Sequence, residues 1–230
     1  MTNQPEYIGH RQRLREKFLQ AMGTGLGDYE LLELLLCQAL PRQDVKPLAK
    51  ALIERFNGFA PVFSASADEL KQSKGIGDAA VTAIKLVHTC CLRLLREQIS
   101  QSSAIYLKQP KDIVDYYRLK LAHSKREEFH VLFLNQAMEL IKDEVLQTGT
   151  INYVNLFPRE LVKMALDIAA VNVIFIHNHP TNDTTPSPND IETTSTLVDL
   201  LEKLGINVVD HFIISASNCY SFKMNQHLKY

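Results

Sequence analysis

The stretch that most constrains this chain is the run from Val171 to Ile176, apolar apart from Asn172, which stops at His177-Asn178-His179-Pro180. A short run of β-branched and aromatic residues closed by turn formers reads as a buried strand. Side chains alternate along a strand, so two histidines one residue apart at its end project to the same side. Imidazole is the usual nitrogen ligand of zinc, and Asp190, in Ser187-Pro188-Asn189-Asp190, can add a carboxylate oxygen. Three protein ligands leave the fourth tetrahedral position to water, the pattern of a catalytic rather than a structural zinc site. The same segment reads as a capping box, with Ser187 as N-cap, Pro188 at the first helical position and Asp190 three residues in. The two roles are compatible, because a carboxylate fixed in the first turn of a helix can still face a metal.

His177-x-His179-Pro180, six further residues and Ser187-x-x-Asp190 together resemble the JAMM (MPN+) metal-binding motif. Their surroundings resemble the bacterial RadC family, over about Glu127 to Phe222 for its JAMM domain and about Gly9 to Arg96 for its helical N-terminal region. One departure stands out: relatives usually follow His-Pro with Ser-Gly-Asp, where this chain has Thr181-Asn182-Asp183, so a glycine is lost but no ligand. The resemblance implies a three-layer, cytidine-deaminase-like α/β fold, Zn2+ as cofactor on His177, His179 and Asp190, and a glutamate general base at the start of the first strand. That place falls on Glu127 or Glu128, and Arg126-Glu127-Glu128-Phe129 is similar to the family's Glu-x-Phe, which selects Glu127. Ser187 matches the motif's serine, whose hydroxyl can donate to the oxyanion of a tetrahedral intermediate as well as cap the helix. The implied activity is that of a zinc-dependent hydrolase of the metallopeptidase type, acting on a peptide or isopeptide bond in a peptide or protein substrate. The alternative is a DNA-associated repair factor whose JAMM domain is a non-catalytic interaction module.

The first half reads as helical. Tyr7 to Met22 carries Arg11, Arg13, Arg15 and Lys17, a solvated face or a phosphate-contacting one. Asp28 caps a leucine-dense core helix, Tyr29 to Ala39, and a third helix runs from about Val45 to Phe56, stopping at Asn57-Gly58. Ser66 caps Ala67 to Gln72, which leads through Lys74-Gly75-Ile76-Gly77 into a long helix from Asp78 to about Glu97. This hairpin resembles a helix-hairpin-helix motif. Its glycines allow a tight turn and expose N–H groups to an anion such as DNA phosphate, and Ile76 plugs the hairpin into the helices. Lys74, Gly75 and Gly77 are the DNA-binding candidates, and with few cations nearby (Lys71, Lys74, Lys85) any grip should be weak and sequence-independent. Residues 1–98 carry 13 Lys and Arg against 11 Asp and Glu, which places any basic surface in this half.

Gln98 to Ser103 is polar and serine-rich, so a helical domain over 1–98 and a JAMM domain over 104–230 are expected. The second opens with a helix, Lys111 to Ala122, then a hairpin of strands Phe129 to Leu134 and Leu140 to Thr148. A helix Arg159 to Ala170 precedes the histidine strand. The helix after Ser187 ends near Gly205, and strands Ile206 to Ser215 and Cys219 to Lys223 close an α/β domain. His211 reads as structural with a contact to a ligand as the lesser reading, and His130 as an ordinary strand residue. His10, His88, His123 and His227 lack a partner pattern. Cys37, Cys90, Cys91 and Cys219 form no C-x-x-C pair, and Cys90-Cys91 read as buried thiols, so a reducing cytoplasm is expected. No run of about 18 apolar residues predicts a membrane span, and the N-terminus lacks the basic and apolar regions of a signal peptide.

Overall fold

The computed structural model describes residues 6–101, 110–121, 123–149, 158–226 and 228. The chain divides into two compact units, Met1–Cys91 and Leu92–Tyr230. The division falls inside a helix that runs through Gln101, so the first residues of the expected linker are helical; residues 102–103 lie outside the described residues, as does His227.

In the first unit α1 spans Glu6–Ala21, α2 Asp28–Ala39, α3 Lys46–Phe56, α4 Phe59–Ser64 and α5 Ala67–Lys71, and α6 (Asp78–Gln101) begins. The leucine stripe of α2 buries Leu32 and Leu36 completely. Its cap is Gly27, whose N–H donates to the Glu30 carboxylate at 2.9 Å; Asp28 is the first helical residue and not the cap. Glu33 is buried in the same stripe, and its Oε1 lies 2.8 Å from His10 Nε2, a partnership that a separation of 23 residues hid from the sequence. The helix α4 was not foreseen. It has six residues, too few to show a period, and carries Pro61 in its first turn. Ser66 caps α5 as expected, accepting from Glu69 N at 3.2 Å while the Glu69 carboxylate takes the Ser66 N–H at 3.0 Å. The turn into α6 holds Gly75 at φ +91°, a conformation glycine adopts freely, and Ile76 is buried in the helical core. Cys90 and Cys91, expected inside, are exposed on α6.

The second unit adds α7 (Pro110–Leu121), β1 (Glu127–Leu134), β2 (Leu140–Gly149), α8 (Pro158–Asp167), β3 (Asn172–Asn178), α9 (Pro188–Glu202), β4 (Asn207–Ile214) and β5 (Cys219–Ser221). The strands form one sheet in the order β2-β1-β3-β4-β5, antiparallel except for β3 beside β4. As its apolar run requires, β3 is central and buried at every position. Phe129, Val131, Phe133, Val173 and Phe175 meet Leu161 and Ala165 of α8 and Leu197 and Leu201 of α9 on one face. Leu132, Leu134, Ile174, Ile176 and Phe212 meet Ile113, Tyr117 and Leu121 of α7 and Ile99 of α6 on the other. The result is a three-layer α/β domain.

A parallel pair needs a crossover, and α9 supplies it between β3 and β4. That connection brings the C-terminal end of β3 next to the N-terminus of α9, the edge of an open α/β sheet where sites are usually built.

Candidate metal centre

His177 is the next-to-last residue of β3 and shares the α8/α9 face with Phe175 and Phe129. His179 follows the strand, and its N–H still bonds the Ile214 carbonyl at 3.1 Å, so the backbone stays extended and both rings fall on one side. Their Nε2 atoms are 3.1 Å apart. Asp190 sits in the first turn of α9, where Ser187 is the N-cap and Pro188 opens the helix. Asp190 Oδ1 is 3.4 Å from His177 Nε2, and Oδ2 is 3.4 Å from His179 Nε2.

Three donors on a tetrahedral zinc ion, each bonded at about 2.1 Å, stand about 3.4 Å from one another. Separations of 3.1, 3.4 and 3.4 Å therefore fit zinc. The proton inventory fits as well. His179 Nδ1 lies 2.7 Å from the Asp183 carbonyl, which can only accept, so Nδ1 carries a proton and Nε2 is the nitrogen that the neutral ring offers to a metal. Asn182 makes this possible. It takes φ +64°, the conformation the relatives' glycine would offer, and asparagine tolerates it better than most residues. Thr181-Asn182-Asp183 thus makes its turn without a glycine, the Asn182 N–H donating to the His179 carbonyl at 3.2 Å.

Burial drives the His177 pKa down to about 4, so its ring is neutral at pH 7. Burial pulls His179 down too, but the Asp190 carboxylate, the Asp183 carbonyl and Glu127 outweigh it and leave its pKa raised. Burial pushes Asp190 up. His179, His177 and the Ser187 hydroxyl and amide more than reverse that, holding the carboxyl well below the usual range and therefore ionised. The described geometry is two imidazoles and one carboxylate converging, with His179 and Asp190 partly open to solvent.

Strand alternation separates the two glutamates. Glu128 turns to the α7 face, where its carboxylate lies 3.2 Å from the buried His130 and accepts from Ser124 at 3.3 Å. His130 is therefore more than a strand residue: Asp143 flanks its other nitrogen at 3.6 Å. Glu127, two residues before Phe129, lies on the same face of the sheet as Phe129 and His177. Burial raises its pKa, with His179 lowering and Asp190 raising it further. Asn178, between the two ligands, points away from them and clamps the start of β1: its Oδ1 accepts the Glu128 N–H and its Nδ2 donates to the Arg126 carbonyl, both at 2.9 Å. These bonds bracket Glu127. The Ser187 hydroxyl accepts from Asp190 N at 3.1 Å and gives its one proton to Asp190 Oδ2 at 2.7 Å, so donation to an oxyanion would require it to turn.

His211, read from sequence as structural, touches a candidate ligand: its Nε2 is 2.7 Å from His177 Nδ1, and its Nδ1 is 2.7 Å from Thr194 Oγ1. Thr194 and Asn178 were missed as supporting residues. The available signal was Thr194 lying one helical turn beyond Asp190.

Lys74, Gly75 and Gly77 lie exposed in the α5–α6 turn of the first unit. The neighbouring cations are largely committed. Lys71 pairs with Asp78 at 2.7 Å, and Lys85 donates to the Phe63 and Ala65 carbonyls at 2.7 and 2.9 Å. On α1, Arg11 donates to the carbonyls of Leu40, Pro41 and Gln43 beyond α2, and Lys17 pairs with Glu30.

Comparison with known families agrees with this layout. The profile of the RadC-like JAB domain matches residues 107–227, and that of the UPF0758 N-terminal region matches residues 7–82. UPF0758 protein SPO0054 of Ruegeria pomeroyi is 40% identical over 225 residues, covering 97% of this chain and 100% of that protein.

Proposed function

The chain belongs to the RadC family, and from that premise we propose that its second unit is a zinc-dependent hydrolase of the metallopeptidase type, with His177, His179 and Asp190 as ligands. The observation that carries this reading is the convergence of two imidazole nitrogens and a carboxylate at tetrahedral spacing, with Glu127 on the same face of the sheet. Held by His177, His179 and Asp190, zinc would make a hydroxide nucleophile available at neutral pH and act as a Lewis acid. Glu127 accepts the proton of the attacking water and returns it to the leaving nitrogen; its raised pKa brings base and acid forms closer to the working pH. Ser187 holds Asp190 in its ionised form, and Asn178 holds the Glu127 backbone. Each ligand imidazole would keep its Nδ1 in a hydrogen bond within the protein and turn its Nε2 to the metal, so the proton transfer falls to the carboxylate.

Glu127→Gln tests this assignment. The variant should bind zinc as the wild type does and lose hydrolysis of a peptide or isopeptide substrate by about 100-fold or more. Retained turnover would remove Glu127 from the mechanism. Recruitment to DNA through Lys74, Gly75 and Gly77 rests on the exposed glycine turn alone, since Lys71 and Lys85 are engaged within the protein. Replacing both glycines should abolish a gel shift if that recruitment occurs.

A further inference from the structure

A zinc ligand must present a bare nitrogen, and in the neutral His179 ring the Asp183 carbonyl selects Nε2 for that part. His177 has no carbonyl at its Nδ1. It faces His211 Nε2, another imidazole nitrogen that can be donor or acceptor. Two neutral imidazoles in contact admit either proton order, and one of the two would protonate His177 Nε2 and close it to a metal. Something further back has to choose.

Thr194 Oγ1 is 2.5 Å from the Asp190 backbone carbonyl and 2.7 Å from His211 Nδ1. Two oxygens at that distance repel unless a proton lies between them. A carbonyl carries none, so the Thr194 hydroxyl donates to it. The hydroxyl has a single proton. Towards His211 it can only accept, which places a proton on His211 Nδ1 and leaves Nε2 bare. His177 Nδ1 must then be the donor, and its Nε2 is bare and turned to Asp190 and His179. Thr194, His211 and His177 are 2%, 1% and 3% exposed, which leaves little room for water to alter this order. The chain begins at the Asp190 carbonyl and ends at the nitrogen facing the Asp190 carboxylate, tying two of the three ligands together behind the centre.

We infer that the Thr194 hydroxyl sets the tautomer of His177 through His211, which makes Thr194 and His211 positioning residues of the metal centre. This rests on the metal-centre reading above. Val replaces Thr with nearly the same shape, so Thr194→Val removes the proton order with little change in packing.

The test has two arms. In metal-free wild-type protein, imidazole nitrogen chemical shifts should report protonated Nδ1 and bare Nε2 for both His177 and His211; the opposite order for His177 overturns the proposal whatever any variant does. In chelator competition, Thr194→Val should weaken zinc by roughly 10-fold and His211→Ala by up to about 100-fold, the range for residues that orient a metal ligand. Thr194→Ser, which keeps the hydroxyl, should restore wild-type affinity. Zinc bound equally by wild type and Thr194→Val overturns this proposal and leaves the metal centre standing. A wild type that takes up no zinc overturns both.

Discussion

Removing one hydroxyl, in Ser187→Ala, separates the positioning role of Ser187 from a role in catalysis alone. The hydroxyl oxygen accepts the Asp190 N–H at 3.1 Å, and its proton goes to Asp190 Oδ2 at 2.7 Å. Loss of the cap costs about 1 kcal/mol. Loss of a hydrogen bond to a carboxylate costs about 1.5 kcal/mol at a site as exposed as this one. The Ser187 backbone N–H still reaches Oδ2 at 2.7 Å and retains part of the support. The net expectation is about 2 kcal/mol, a fall of about 6 °C in Tm for a unit of this size. Thermal unfolding followed by circular dichroism at pH 7 in a chelator reads it directly. The pH dependence has a fixed sign. Asp190 ionises below its ordinary 3.8 in the folded protein, so its stabilisation is present above that value and fades as pH falls towards the folded one. The gap between wild type and variant should narrow on acidification towards the capping share. A Tm difference under about 1 °C at neutral pH, or a gap that widens in acid, would refute the reasoning. If Ser187 acted solely on an oxyanion, zinc affinity would not change; the account expects it to fall.

Asn178→Asp keeps the side chain's shape but turns its donation to the Arg126 carbonyl into an oxygen–oxygen contact at a buried position. Its oxygen still accepts the Glu128 N–H, so the loss falls on the Arg126 bond alone; stability should fall by about 3 kcal/mol in denaturant titrations, and an unchanged midpoint would deny the clamp. Gly75→Ala should cost about 1 kcal/mol because φ is +91°, although its Cβ would meet only Leu48 at an ordinary 3.7 Å. Gly77→Ala meets no atom within 4 Å at an unrestricted φ, so chemical denaturation should find it nearly neutral. Equal losses at the two positions would mean that something other than backbone conformation constrains the turn.

Much of this arrangement was legible because local rules carried it. The apolar run into His177 marked β3 as a buried strand, and Ser187-Pro188-Asn189-Asp190 announced the cap that places Asp190. No local rule chose between Glu127 and Glu128; the choice came from the resemblance to Glu-x-Phe, and in the structure Glu128 turns to His130 on the α7 face. The supporting contacts were not legible, because they depend on register. His211 reaches His177 only because β4 pairs with β3, setting His211 beside Phe175 across 36 positions of sequence. His10 and Glu33 meet only once α1 packs on α2. The basic residues of α1 left two readings open for a related reason: a count of charges cannot show that Arg11 is spent on carbonyls beyond α2. Cys90 and Cys91 were read from the apolar character of their neighbours, yet α6 continues well past the helical core, which ends at Val87.

Metal analysis of protein purified without added zinc bears most directly on the central claim, with wild type set against His179→Ala. The account predicts roughly one equivalent of zinc in the wild type and little in the variant, since losing one of three ligands leaves two donors for a cation that needs four. Equal zinc in both proteins, or none in the wild type, would contradict it.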